Sequence, residues 1–182
     1  MMGYVFDGYW EDIGTVGSFW ECNLTLTDPV PPFDFFDGSN PVYTHARYLP
    51  TAKLNGCKAN RVLMADGAIV DDSEITRCVI GVRSVVRGGS RLENVVMMGA
   101  DAFERPHDLA KNHALGRPDI GVGPNCVIRN AIIDKNARIG AGCRLSPIGL
   151  PEKWESESLF VRDGVIVVKK GAVVPPGTVV GE

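Results

Sequence analysis

Long apolar runs are missing from this chain. No stretch of the 182 residues approaches the roughly 20 apolar residues of a membrane-spanning helix, and no charged-then-apolar leader opens it. An excess of one charge is missing too. Nineteen Lys and Arg stand against 22 Asp and Glu, a net charge of −3, which argues against a nucleic-acid binder although basic residues cluster locally. The five cysteines (Cys22, Cys57, Cys78, Cys126 and Cys143) are odd in number and form no C-x-x-C pair. That pattern argues against a zinc site and a disulfide framework, and points to a reducing, cytoplasmic interior. Histidine is scarcer still, with only His45, His107 and His113.

What is present is a six-residue beat. Aliphatic residues recur at Leu63, Ile69, Ile75, Ile80, Val86 and Leu92, again at Val122, Ile128, Ile133, Ile139 and Leu145, and finally at Val168, Val174 and Val180. Four residues after an opener the side chain is usually small: Gly67, Ser73, Ser84, Ser90, Cys126, Ala137, Cys143, Ala172, Thr178. A helix needs apolar recurrence at three and four, and a half-buried strand needs it at two, so a period of six fits neither. It fits a solenoid whose short strands turn corners, with one large and one small residue per face pointing inward. Three such faces predict a coil of about eighteen residues. The run from Val122 to Leu145 repeats the run from Ile69 to Leu92 at an offset of 53, including the same five-residue step.

Around the beat the chain divides. Met1 to Gly8 reads as a short strand carrying Tyr4, Val5 and Phe6. Thr15 can cap a helix over about Val16 to Thr27, with Phe19, Trp20 and Leu24 at helical spacing and Pro29 beyond its end. Residues 29–53 read as a Pro-stiffened linker and residues 54–182 as the solenoid. A non-repetitive insert at 99–121 is expected to leave the solenoid as a polar loop, and Ser146 to Asp163 breaks it again. Gly88-Gly89-Ser90-Arg91-Leu92 faintly suggests a phosphate loop, but it keeps the beat and lies in no strand–loop–helix context, so it reads as a solenoid corner. The phase puts Ile139 inside and Arg138 outside, tolerant of reversal to aspartate. It also sets Lys135 and Lys170 each two residues after an opener.

Four stretches carry a resemblance to a known family: Gly8-Tyr9-Trp10-Glu11-Asp12-Ile13-Gly14-Thr15, Tyr48-Leu49-Pro50, the ten residues from Ala131 to Gly140 (Ala-Ile-Ile-Asp-Lys-Asn-Ala-Arg-Ile-Gly), and Gly164-Val165-Ile166-Val167-Val168-Lys169-Lys170. Together with the helix, linker and hexads they resemble the C-terminal part of ADP-glucose pyrophosphorylase in its plant and cyanobacterial branch. The resemblance implies an all-β, left-handed parallel β-helix with a short N-terminal strand–helix remnant, residues 1–28 being the end of a nucleotidyltransferase domain. The handedness comes from the resemblance alone, since most parallel crossovers are right-handed. The implied activity is synthesis of ADP-glucose and pyrophosphate from ATP and glucose 1-phosphate, with magnesium, in a homo- or hetero-oligomer that feeds glycogen or starch synthesis. It implies Asp12 as a metal-binding aspartate, Lys135 and Lys170 as receivers of a phosphorylated effector such as 3-phosphoglycerate, and Arg47 and Lys53 as contributors to the same pocket. A plant-type member would place the chain in a plastid, although no transit peptide is visible. The family's Gly-rich G-G-x-G-T-R-L loop, its sugar-phosphate lysine and its second metal aspartate are absent from these residues. The expectation is therefore a regulatory and oligomerising region, inactive alone.

Hexad solenoids also build acyltransferases, which use a coil histidine as general base, and carbonic anhydrases with three histidines on zinc. Here two histidines fall in the insert and one precedes the solenoid, so none lies on the beat. A hexapeptide acyltransferase and a non-catalytic anion-binding assembly module remain the alternatives.

Overall fold

The computed structural model describes residues 3–182. Its strands are β1 (Lys53–Asn55), β2 (Lys58–Met64), β3 (Ile69–Asp71), β4 (Glu74–Ile80), β5 (Val85–Val86), β6 (Arg91–Met97), β7 (Gly121–Val122), β8 (Val127–Ile133), β9 (Arg138–Ile139), β10 (Arg144–Leu145), β11 (Leu159–Arg162), β12 (Val165–Val168), β13 (Val173–Val174) and β14 (Val179–Val180). Two helices join them, α1 (Val16–Thr25) and α2 (Pro106–Ala114). One parallel sheet runs β1-β3-β5-β7-β9-β13; a second runs β11-β12-β8-β6-β4-β2, with β10 pairing to β8 and β14.

The register explains the beat. Three columns of aliphatic side chains stack through the core, one per face. Met64, Ile80, Met97, Ile133 and Val168 form the first. Val70, Val86, Val122, Ile139 and Val174 form the second. Ile75, Leu92, Ile128, Leu145 and Val180 form the third. Away from the solenoid's ends these side chains are buried. The coil is shorter than the eighteen residues expected: Met64 pairs with Ile80, 16 residues on, and Ile80 with Met97, 17 on. In the earliest coil that shortening moves the phase. Val70 faces inward, fully buried, while Ile69 is only half-buried and faces the other way.

The small column is a hydrogen-bond ladder. Ser73 Oγ donates to Arg87 O (3.3 Å), Ser90 Oγ to Gly123 O (3.0 Å), Cys126 Sγ to Gly140 O (3.1 Å) and Cys143 Sγ to Pro175 O (3.2 Å). Each hydroxyl or thiol thus satisfies a carbonyl on the next coil, where a larger side chain would push the coils apart.

The seven-residue strands turn a corner at their middle residue, which has positive φ: Arg61 (55°), Arg77 (51°), Asn94 (54°) and Asn130 (48°). Asparagine adopts this region readily, and Asn94 Nδ2 donates to Asn130 Oδ1 at 2.9 Å. Arginine does so at a cost, and both arginines are tied to the segment around α1, Arg61 by Asp28 and Arg77 by Glu21.

Helix α1 starts where Thr15 caps it, accepting from Ser18 N, and ends two residues before the expected Thr27. It covers the outer face of the second sheet. Val79, Val96, Ile132 and Val167 point out of the solenoid and pack under Val16, Phe19, Trp20 and Leu24. Trp20 Nε1 donates to Asn94 O (3.0 Å), and Gly17 N donates to Asp163 Oδ2 (3.0 Å). The strand expected before it is not formed over residues 3–8, where Tyr4, Val5 and Phe6 are exposed without a ladder partner; Met1 and Met2 lie outside the described residues.

The insert is not simply a loop. It contains α2, with Pro106 in its first turn and Asp108 accepting from the Arg105 N–H. The break before β12 likewise holds β11, which folds back antiparallel to β12 through Asp163-Gly164.

Candidate functional site

Lys135 and Lys170 meet at one corner of the solenoid. Ile133 pairs with Val168, so the lysines two residues further on lie on adjacent coils, and Gly171 N donates to Lys135 O at 2.8 Å. The insert leaves the solenoid on the coil beneath, where Asn136 N bonds Gly99 O (3.0 Å), and this brings Asp101 against the pair. Lys135 Nζ lies 3.2 Å from Asp101 Oδ1, and Asn136 Nδ2 donates to Asp101 Oδ2 at 2.8 Å. Asp101 N in turn donates to Asn136 Oδ1 at 2.9 Å. The hydrogen bonds from Asn136 and Lys135, with the charges of Lys135 and Lys170, hold the Asp101 carboxyl below its ordinary value. Lys169 turns away, 3.0 Å from Glu155 Oε1. Lys170 is exposed, and among the described residues it meets no carboxylate within salt-bridge distance.

The two lysines set positive charges side by side on adjacent coils, one paired with Asp101 and, among the described residues, one without a carboxylate partner. Neither Asp101 nor Asn136 was singled out by sequence reasoning. Asn136 carries a signal, an asparagine in the Asp-Lys-Asn turn with φ of 60°. Asp101 carries none, because its place depends on where the insert departs.

Among the described residues the other expected contributors make no hydrogen bond or ion pair with either lysine. Arg47 is exposed, its only polar contact among the described residues a long one from Nη1 to His45 O (3.4 Å). Lys53 stands on β1, four strands from β9 in the sheet order, which is about 19 Å at roughly 4.8 Å per strand. Asp12 is exposed in the segment before the Thr15 cap. Among the described residues no three His, Cys, Asp or Glu side chains converge as a metal site. Magnesium is held octahedrally by carboxylates with substrate phosphates and water, so Asp12 alone does not fit a magnesium site. His45, His107 and His113 are all exposed, and His107 contacts only its neighbour Asp108 (3.1 Å).

Arg138 contradicts its expectation. It points away from the solenoid core but lies under the insert, its side chain 14 % exposed, 2.8 Å from Glu104 Oε1, with Pro118 O at 2.9 Å. An aspartate there would face Glu104.

Residues 47–179, well over half of the chain, match the family model described as the GLGC left-handed parallel β-helix domain. The match takes in β1 to β13, the first residue of β14, both corner lysines and the insert, begins at Arg47 and leaves Asp12 outside. The chain belongs to the GLGC left-handed β-helix family, the C-terminal part of ADP-glucose pyrophosphorylases.

Proposed function

We propose that these residues form the regulatory and oligomerising part of an ADP-glucose pyrophosphorylase, the enzyme that joins ATP and glucose 1-phosphate into ADP-glucose and pyrophosphate for glycogen or starch synthesis, and that by themselves they do not catalyse the reaction. The observation that carries the reading is the register of Lys135 and Lys170 on adjacent coils, inside the stretch that matches the family. A phosphorylated metabolite such as 3-phosphoglycerate bridges the two ammonium groups, relieving their repulsion and taking over from the Asp101 carboxylate. Assembly is supported by the sheet edge at β1 and β2, the terminal strands of the two sheets among the described residues, where Leu54 is half exposed.

Nucleotidyl transfer works by positioning and charge stabilisation around the phosphates, with metal carboxylates in place. Among the described residues Asp12 has no second metal carboxylate beside it, and the G-G-x-G-T-R-L pattern does not occur in the sequence. Magnesium would be held at Asp12 only with a second carboxylate and substrate phosphates from outside these residues. The test incubates the purified chain with magnesium, ATP and glucose 1-phosphate. ADP-glucose is expected at the level of a protein-free blank; formation above it overturns the reading. Acetylation of a sugar from acetyl-CoA would replace the reading with an acyltransferase.

A further inference from the structure

The insert builds a cavity apart from the lysine corner. Its hub is Asn112 of α2, fully buried. Asn112 Nδ2 donates to Glu104 Oε1 (2.7 Å) and Asp119 Oδ1 (2.9 Å), and Asn112 Oδ1 accepts from both Nε (2.9 Å) and Nη2 of Arg117. Arg117 is thereby held by a neutral oxygen. The nearby carboxylates are engaged by other arginines: Asp119 by Arg87 (3.3 Å) and Glu104 by Arg138 (2.8 Å). Among the described residues no carboxylate lies within salt-bridge distance of the Arg117 guanidinium. An oriented arginine without a counter-charge is a docking point for a planar or tetrahedral anion.

Beside it lies a cavity of about 290 Å³. Arg87, His113, Arg117 and Asp119 supply its polar wall, the Asp119 carboxylate being countered by Arg87 (3.3 Å). Its floor is Pro124, Ala141 and Pro176, stacked on successive coils by Gly142 N to Pro124 O and Gly177 N to Ala141 O, both 2.8 Å. That floor of proline and alanine is apolar and offers no side-chain donor. A mostly apolar cleft with a few convergent polar groups is the usual form of a small-molecule site, and this one is at the small end of the range.

We infer that this cavity binds a small molecule carrying one phosphate or carboxylate on a flat apolar body, with the anion on Arg117 and the flat face on the proline corner. Neither Lys135 nor Lys170 lines it, so the inference stands apart from the effector corner. Phenyl phosphate is a suitable probe. Isothermal titration on the wild-type chain is expected to show one site per chain, about tenfold tighter than inorganic phosphate or phenol alone, a difference of about 1.4 kcal/mol. Arg117→Gln should weaken binding by about tenfold or more. Ala141→Trp, at an exposed floor position outside the Asn112 network, should abolish it while leaving the melting temperature unchanged. The Lys135→Gln/Lys170→Gln double variant should bind as the wild type does. Absence of saturable heat in the wild type overturns the inference. So does unchanged affinity in Arg117→Gln or in Ala141→Trp, or a loss confined to the lysine variant.

Discussion

Replacing Glu104 with alanine takes the acceptor from three donors at once. Its carboxylate receives Arg138 Nη2 (2.8 Å), Asn112 Nδ2 (2.7 Å) and the Ile120 N–H (2.7 Å), and the Glu104 and Arg138 side chains are only 10 % and 14 % exposed. Removing one partner of a fully buried ion pair costs about 3–5 kcal/mol. Here water reaches the edge and Arg138 keeps its bond to Pro118 O, so the lower end, about 3 kcal/mol, applies. At roughly 2–4 °C per kcal/mol for a chain of this size, the melting temperature should fall by about 6–12 °C. Amide hydrogen exchange across the insert should quicken more than exchange in the β4–β6–β8 ladder. The effect also has a sign in pH. Burial opposes ionisation of Glu104, but the Ile120 N–H, the Asn112 amide and the Arg138 guanidinium outweigh it and hold the carboxyl below its ordinary 4.5. A depressed folded-state value means that the stabilisation is complete above the unfolded value and is lost as pH falls through the folded one. The gap between wild type and Glu104→Ala should therefore be full at neutral pH and close in acid, as pH falls below the ordinary 4.5 and through the depressed folded value. A variant that melts within about 2 °C of wild type at neutral pH, or a gap that widens in acid, refutes the reasoning.

Ile139→Asp buries a carboxylate at a fully enclosed position, costs several kcal/mol and should abolish cooperative melting, whereas Val179→Asp, 62 % exposed, should not; equal melting by circular dichroism would contradict the column assignment. Gly140→Ala should be the worse of two glycine changes, because its Cβ would sit 2.4 Å from Pro176 N, while Gly171→Ala at φ +65° meets nothing within 4 Å and costs only backbone strain of about 1–2 kcal/mol. The reverse order of melting temperatures contradicts the close approach of the coils. Half-buried Cys22 and Cys57 should react with a thiol reagent in the folded chain, and Cys78, Cys126 and Cys143 only after denaturation, burial having pushed the Cys78 thiol up to about 11. Rapid reaction of all five would contradict the buried ladder.

Much of the solenoid was legible in the sequence because burial writes itself into spacing. From Ile75 to Leu92 and from Val122 to Leu145 every opener lies in its column, and the corner lysines follow from the same count. Counting back by six fails at Ile69 because the chain takes a five-residue step from Val70 to Ile75, and a half-buried Ile at the neighbouring position disguises it. Helix α2 carried local signals in Pro106, Asp108 and Gly116, but its buried hub is Asn112, so no apolar stripe announced it. The Asp163-Gly164 turn between aliphatic runs is a hairpin signal that the solenoid reading passed over. Arg138 looked like a surface residue because what covers it, Glu104 and Pro118, comes from a non-repetitive segment with no period to extrapolate. The same holds for Asp101, whereas Lys53 was grouped with the corner by resemblance and stands four strands along the sheet from β9.

The most direct test of the effector corner is a melting curve with and without 3-phosphoglycerate, on wild type, Lys135→Gln and Lys170→Gln. Binding to the folded chain at 100 times the dissociation constant stabilises it by about 2.7 kcal/mol, a rise of roughly 5–10 °C, and the rise should shrink as salt screens the lysines. Both glutamine variants should respond less than wild type. A wild type whose melting ignores the anion, or glutamine variants that rise as far as it does, would contradict the account.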